Sequence, residues 1–203
     1  MRVSTVEPVW GGDEHLGDEL RELVKHCLCG DQCAMRKLVE RFQGQVFGLC
    51  YRMLGNRQDA EDAAQETFIR VLKNLSRWDA RRDFEPWLLA IAGNRCRTAW
   101  GARKRRLNEQ LLVTPSSDSP REEQTAAHLA EEVERGLHHL RPEYREAFVL
   151  FHENEMNYEQ IAETMNRPLG TIKTWIHRAR RELIQYLIRR EVIAEPCHAV
   201  RTF

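Results

Sequence analysis

The chain has 203 residues, 42% of them hydrophobic and 31% charged, which suits one or two small helical or mixed domains. Its 31 Lys and Arg balance 31 Asp and Glu, so bulk charge points to neither a polyanionic nor a polycationic partner. With no membrane-length apolar run, no basic-then-apolar leader and six cysteines scattered rather than framed as a scaffold, a cytoplasmic protein without membrane insertion is expected.

The charges are nevertheless sorted along the chain. Residues 95–106 carry Arg95, Arg97, Arg103, Lys104, Arg105 and Arg106 and no acid, whereas acids gather in 59–66 and 122–134. Such asymmetry predicts separate surfaces for separate partners.

In chain order, residues 1–16 hold Pro8, Gly11 and Gly12 with little periodicity and read as a loose tail. Leu16, Leu20, Leu23, Val24 and Leu28 predict a first helix, which Gly30 closes. Asp31 caps a second helix over 32–54, with Leu38, Phe42, Val46, Leu49 and Met53 as its core stripe and Gly55 as its end. His26, Cys27, Cys29 and Cys33 lie near its start. Their spacing fits no standard zinc module, so buried or idle thiols are expected, with no metal and no cofactor.

A third helix over 57–75 turns Ala60, Ala64, Thr67, Phe68, Val71, Leu72 and Leu75 inward. Asp59, Asp62, Gln65, Glu66, Ile69 and Lys73 face out. An acidic row around an exposed Ile suits docking of a basic helix. A solvated face with acids favouring the helix N-terminus accounts for it as well. A charged loop at 79–83 follows, flanked by Trp78, Phe84 and Trp87. Glu85 and Pro86 open a fourth helix, with Trp87, Leu88, Ile91 and Ala92 inward and a basic run from Asn94 to Arg106. Arg81, Arg82 and that basic face could hold a phosphate backbone.

Residues 107–125, LNEQLLVTPSSDSPREEQT, have no period and read as a linker. Beyond it Leu129, Val133, Leu137 and Leu140 form one stripe, and Pro142 begins a helix carrying Tyr144, Ala147, Phe148, Leu150 and Phe151. Residues 157–187 then read as two helices around a tight turn. Asn157 and Gln160 have capping-box spacing, and Asn166 to Gly170 reverse the chain. Ile172, Ile176, Ala179, Leu183 and Leu187 form the buried stripe of the last helix, with Lys173, Thr174, His177, Arg178 and Arg181 opposite. That face suits the DNA major groove, though an ordinary amphipathic hairpin would also carry a basic solvated face.

The strings GDQCAMRKLVERF, DAEDAAQETFIRVLKNL and FEPWLLAIAGNRCR resemble the second conserved region of the extracytoplasmic-function (ECF, group IV) sigma factors of bacterial RNA polymerase. LRPEYREAFVLFHENEMNYEQIAETMNRPLGTIKTWIHRARREL resembles their fourth region, so the resemblance covers most of 30–187. It implies an all-α protein without catalysis: region 2 over 17–106 and a region 4 helix-turn-helix over 126–190, joined by a flexible linker at 107–125, with a tail at 191–203. It implies that Asp59, Asp62, Gln65 and Glu66 dock on the beta-prime clamp of core RNA polymerase, whose beta subunit is a further contact. Arg81, Arg82, Asn94, Arg95 and Arg97 would grip and open the minus-ten promoter element. Thr171, Lys173, Thr174, His177, Arg178 and Arg181 would read the minus-thirty-five element. Trp175 stands where many relatives have Arg, and would pack on a sugar or a thymine methyl. An anti-sigma factor masking both halves is a further implied partner. Two other classes compete: a helix-turn-helix repressor or activator, which needs the C-terminal half alone, and a helical metal-dependent hydrolase, which would have to use His138, His139 and His152.

Overall fold

The computed structural model describes residues 13–109 and 126–194. Among them are eight α-helices, one 3-10 turn and no strand. The expected tail at 1–16 and the linker lie largely outside the described residues, as does Cys197.

Helix α1 (Asp13–Leu28) ends at Gly30, whose φ of +86° is left-handed. Helix α2 (Gln32–Leu54) starts where the Asp31 carboxylate accepts from the Cys33 and Ala34 amides, and stops at left-handed Gly55. Helix α3 (Arg57–Asn74) is capped by Asn56, which accepts from the Asp59 amide, and runs into a 3-10 turn, Leu75–Arg77. Helix α4 (Phe84–Glu109) continues three residues into the expected linker. These four helices bury Leu38, Phe42, Val46, Leu49, Met53, Val71, Leu88 and Ala92, the stripes that period 3.6 marks. Leu28, expected inside, is 53% exposed: as the last residue of α1 it directly follows the buried Cys27 and turns away from the core.

The second half comprises α5 (Ala126–His139), α6 (Pro142–His152), α7 (Tyr158–Met165) and α8 (Leu169–Arg189). Asn157 and Gln160 form the complete capping box, and Asn166 takes the left-handed conformation that ends α7. The whole predicted stripe of α8 is buried. Leu129, expected on the inner face of α5, is 44% exposed, while Val133, Leu137 and Leu140 of the same stripe join the smaller cluster.

The halves share a core. Val149, Leu150, Met156, Ile161, Ile172 and Ile176 pack in one continuous cluster with the buried residues of α1–α4. A smaller cluster of Leu137, Leu140, Tyr144, Ala179, Leu183 and Leu187 belongs to the second half alone. Polar groups cross the same seam: Arg145 donates to the Met53 carbonyl at 2.6 Å, and Arg52 pairs with Glu153 at 2.9 Å.

Candidate functional site

Three surfaces carry the residues singled out from the sequence. On α3, Asp59, Asp62, Gln65 and Glu66 are all exposed, and Ile69 is 46% exposed among them. The row does not stand alone. Val39, Gly44 and Phe47 of α2 and Ala64, Phe68, Ile69 and Leu72 of α3 line an apolar groove of about 670 Å³ beside it, with Glu61 and Gln65 on its rim. An apolar groove with Glu61 on its rim and the acidic row beyond Gln65 is complementary to an amphipathic helix with basic flanks. Two of the acids are held from behind: Arg95 pairs with Glu66, and Arg103 Nη1 lies 3.6 Å from Asp59.

The second surface lies between the end of α3 and the middle of α4. Arg70, Asn74, Arg77, Trp87, Ile91, Asn94, Arg95 and Thr98 line a cavity of about 360 Å³. Cations and amides around an aromatic ring suit an unstacked base and its phosphate. Asn94 and Arg95 were expected there. Trp87 and Ile91, expected inward, are half-buried and form its wall. Arg70, Asn74 and Arg77 escaped the sequence reading, although their i, i+4, i+7 spacing on the helix bearing the acidic row was the available signal.

The loop after the 3-10 turn is braced from several sides. Arg81 chelates Asp79 with Nε at 3.1 Å and Nη2 at 3.2 Å, and these bonds hold the exposed Asp79 carboxyl below the usual range. Arg21 of α1 donates to the Ala80 carbonyl at 3.0 Å. Phe84, 2% exposed, anchors the loop against Phe42, Trp78 and Trp87, with ring centroids 5.2–5.5 Å apart. Arg82 points to the second half, 3.5 Å from Glu163. Arg97 does likewise: its guanidinium pairs with Glu146 of α6 and also meets Asn94. The five residues expected to hold DNA thus fall into three settings, with Arg81 in the loop, Asn94 and Arg95 in the cavity, and Arg82 and Arg97 on the seam.

The third surface is the outer face of α8. Lys173, Thr174, His177, Arg178 and Arg181 are exposed there, and Thr171 is half-buried at its start. Thr174 Oγ1 donates back to the Gly170 carbonyl at 2.8 Å, and Arg178 donates to the Tyr144 hydroxyl at 3.0 Å. Trp175 is turned differently. It is half-buried, packs against both core clusters and lies 6.2 Å from the Tyr144 ring, which makes it a spacer beneath the helix.

Beneath these surfaces lies buried charge that periodicity did not disclose. Arg145 is fully buried and donates to the carbonyls of Leu137, His138, Leu140 and Met53. Burial pushes its guanidinium down to about 10, which leaves it charged at neutral pH. Burial raises the Glu146 carboxyl above the usual range against the pull of Arg97. His138, lowered to about 4 by burial and then by Arg145, is neutral. No cluster of three or more His, Cys, Asp or Glu that could hold a metal is found among the described residues.

A family model described as Sigma-70 region 2 matches residues 38–106, and one described as Sigma-70, region 4 matches 130–183. Together they span more than half the chain. The chain is also 32% identical to the ECF RNA polymerase sigma factor SigW of Bacillus subtilis, over 83% of this chain and 96% of that one. The chain belongs to the ECF sigma factors. A second relative, the ECF RNA polymerase sigma-E factor of Haemophilus influenzae, is 32% identical across 87% of this sigma factor and 97% of its own length. Among solved structures, CnrH in complex with the cytosolic domain of CnrY superposes with a TM-score of 0.62 at 25% identity, covering 83% of this chain and 97% of that one. As a sigma factor it is a transcription initiation factor, and the region 2 match displaces the reading as an ordinary helix-turn-helix repressor or activator. No described helix is long and apolar enough to cross a membrane.

Proposed function

We propose that this sigma factor binds core RNA polymerase through the acidic face of α3 and the groove beside it, and directs initiation by holding two promoter elements. The single observation that supports this best is the exposed row Asp59, Asp62, Gln65 and Glu66, which meets an apolar groove between α2 and α3 at Gln65. Charge steers the encounter and the groove supplies the buried area. The occupant is the beta-prime clamp, with the beta subunit as a second contact.

Downstream, the cavity of Arg70, Asn74, Trp87, Asn94 and Arg95 takes an unpaired base of the minus-ten element, flanked by Arg81 and Arg82 of the loop. Arg97 joins this surface when α6 is not seated on it. Upstream, Thr171, Lys173, Thr174, His177, Arg178 and Arg181 of α8 read the minus-thirty-five element in the major groove, with Trp175 setting the height of the helix. Reading both at once makes the second contact intramolecular, which raises its effective concentration. Region 2 over 17–106 and region 4 over 126–190 are the two binding units. An anti-sigma factor is the proposed regulator, in line with the CnrH–CnrY complex, and the protein works in the cytoplasm, beside the polymerase. It contributes no catalytic group of its own.

Charge reversal tests the docking. Asp62→Lys with Glu66→Lys should abolish capture of core polymerase by the tagged protein while leaving its circular dichroism unchanged. Capture at the native level would remove the assignment.

A further inference from the structure

The outer face of α8 is held in part by another helix. Arg178 Nη1 donates to the Tyr144 hydroxyl of α6 at 3.0 Å. The acceptor is itself fixed: Tyr144 is 5% exposed, the Trp175 ring lies 6.2 Å from its ring, and the Arg141 guanidinium sits 5.7 Å over it. Trp175 precedes Arg178 by three residues, so the two are neighbours on the surface of α8 and meet Tyr144 together. Arg178 itself is exposed. Its bond engages one corner of a planar fork, and Nε and Nη2 form the edge away from that corner. Two parallel N–H donors on one edge are what the O6 and N7 acceptors of a guanine take up in the major groove.

We propose that Tyr144 is a positioning residue that determines specificity: its hydroxyl holds one corner of the Arg178 guanidinium, so that the other edge is presented to a guanine of the minus-thirty-five element. This rests on the recognition role given to α8 above. An arginine anchored before it meets DNA has already given up much of its rotamer freedom, so the contact costs less on binding. Anchoring also narrows what the fork can reach, and a narrow reach discriminates between bases where a mobile cation would find any phosphate. Without the anchor, Glu182 one turn along α8, which attracts Arg178 through space, becomes the competing partner at i, i+4 spacing. Trp175 supports the arrangement from beneath. It fills the space beside Tyr144 and keeps the phenol ring where the Arg178 corner meets it.

The test uses the full chain assembled with core polymerase and promoter duplexes selected from a library randomised upstream. The selected set should carry a guanine at one upstream position, and replacing it by adenine should weaken binding by about tenfold, within the range of one bidentate pair. Tyr144→Phe keeps the ring and its packing and removes the acceptor. It should lose most of that preference, about three- to tenfold, because binding of the guanine duplex falls further than binding of the adenine duplex. In an Arg178→Ala background, Tyr144→Phe should have no further effect on the preference, since the pair acts as one unit. Arg178→Lys leaves α6 untouched and lacks the planar fork. It should lose the preference as well, so the outcome does not depend on one variant folding. Full preference in Tyr144→Phe would overturn the positioning role, as would an equal loss on both duplexes, the result of a merely structural tyrosine. A selected set without an upstream guanine would overturn it too. Full preference in Arg178→Ala would instead overturn the reading of the minus-thirty-five element by Arg178, while leaving the docking on polymerase in place.

Discussion

At the scale of single residues, the most consequential side chains are charged and buried. Arg145 satisfies the last carbonyls of α5 and one of α2, and the planar fork that reaches them all cannot be copied by lysine. Arg145→Met should cost about 3 kcal/mol in urea unfolding, the range for stranding buried partners; a loss under about 1 kcal/mol would show those carbonyls to be solvated. Glu132, 1% exposed, is held below the usual carboxylate range first by Arg190, with Arg135 assisting. Because the folded value is the lower one, this stabilisation is present above the ordinary glutamate range near about 4.3 and disappears as pH falls through the folded value. Glu132→Gln should therefore flatten the acid limb of the stability profile, measured by thermal unfolding between pH 3 and 6. A parallel limb would exclude Glu132 as its source. Neither residue was legible in the sequence. Hydrophobic patterning treats Arg and Glu as surface, and nothing local marks an ion whose decisive partner lies 58 or 92 residues away.

At the scale of helices the sequence was far more informative, because caps and periodicity are local. Asp31 and Asn157 cap the helices that their positions indicate, and the stripes of α2 and α8 are buried as spaced. Asn157→Ala should cost about 1 kcal/mol and weaken upstream promoter binding in step, since α7 orients α8. Lys173→Ala should leave stability nearly unchanged, Arg178→Ala should lose about 1 kcal/mol with its bond to Tyr144, and each should cost roughly 1–3 kcal/mol for a lost base contact, read by anisotropy on duplex promoter DNA. Duplex affinity unchanged by both would take recognition away from this face. Resemblance assigns Trp175 to DNA, although the wheel places it on the flank of the buried stripe, three residues after Ile172 and four before Ala179. It stands beside exposed residues in sequence, yet the approach of Tyr144 from α6 draws it inward. Arg70, Asn74 and Arg77 were passed over for a related reason: the cavity they line exists only once α3 lies against α4.

At the scale of the whole molecule, the two-region all-α architecture was legible from motif order and spacing, and the contact between the regions was not. Periodicity tells which face of a helix is apolar and not which helix covers it, so no pattern within a helix foretold the shared core. Gly93, where a Cβ would meet the Glu146 carboxylate, becomes readable only once α6 is seen to lie against α4. The charge sorting also has a meaning that net charge conceals. A molecule with balanced ions presents carboxylates on α3, cations around the α3–α4 cavity and cations on α8, while Glu146 and Glu163 of the second half face Arg97 and Arg82 of the first. Salt should accordingly weaken binding to promoter DNA steeply, through counterion release, with a smaller slope for a variant lacking both Lys173 and Arg178.

The most direct measurement is transcription in vitro from a random promoter library, with purified core polymerase and this chain as the sole initiation factor. Transcripts should start at a discrete set of templates sharing two elements at fixed separation, and should vanish with Asp62→Lys/Glu66→Lys. Initiation no more selective than that of core polymerase alone, or undiminished by the charge reversal, would contradict the account.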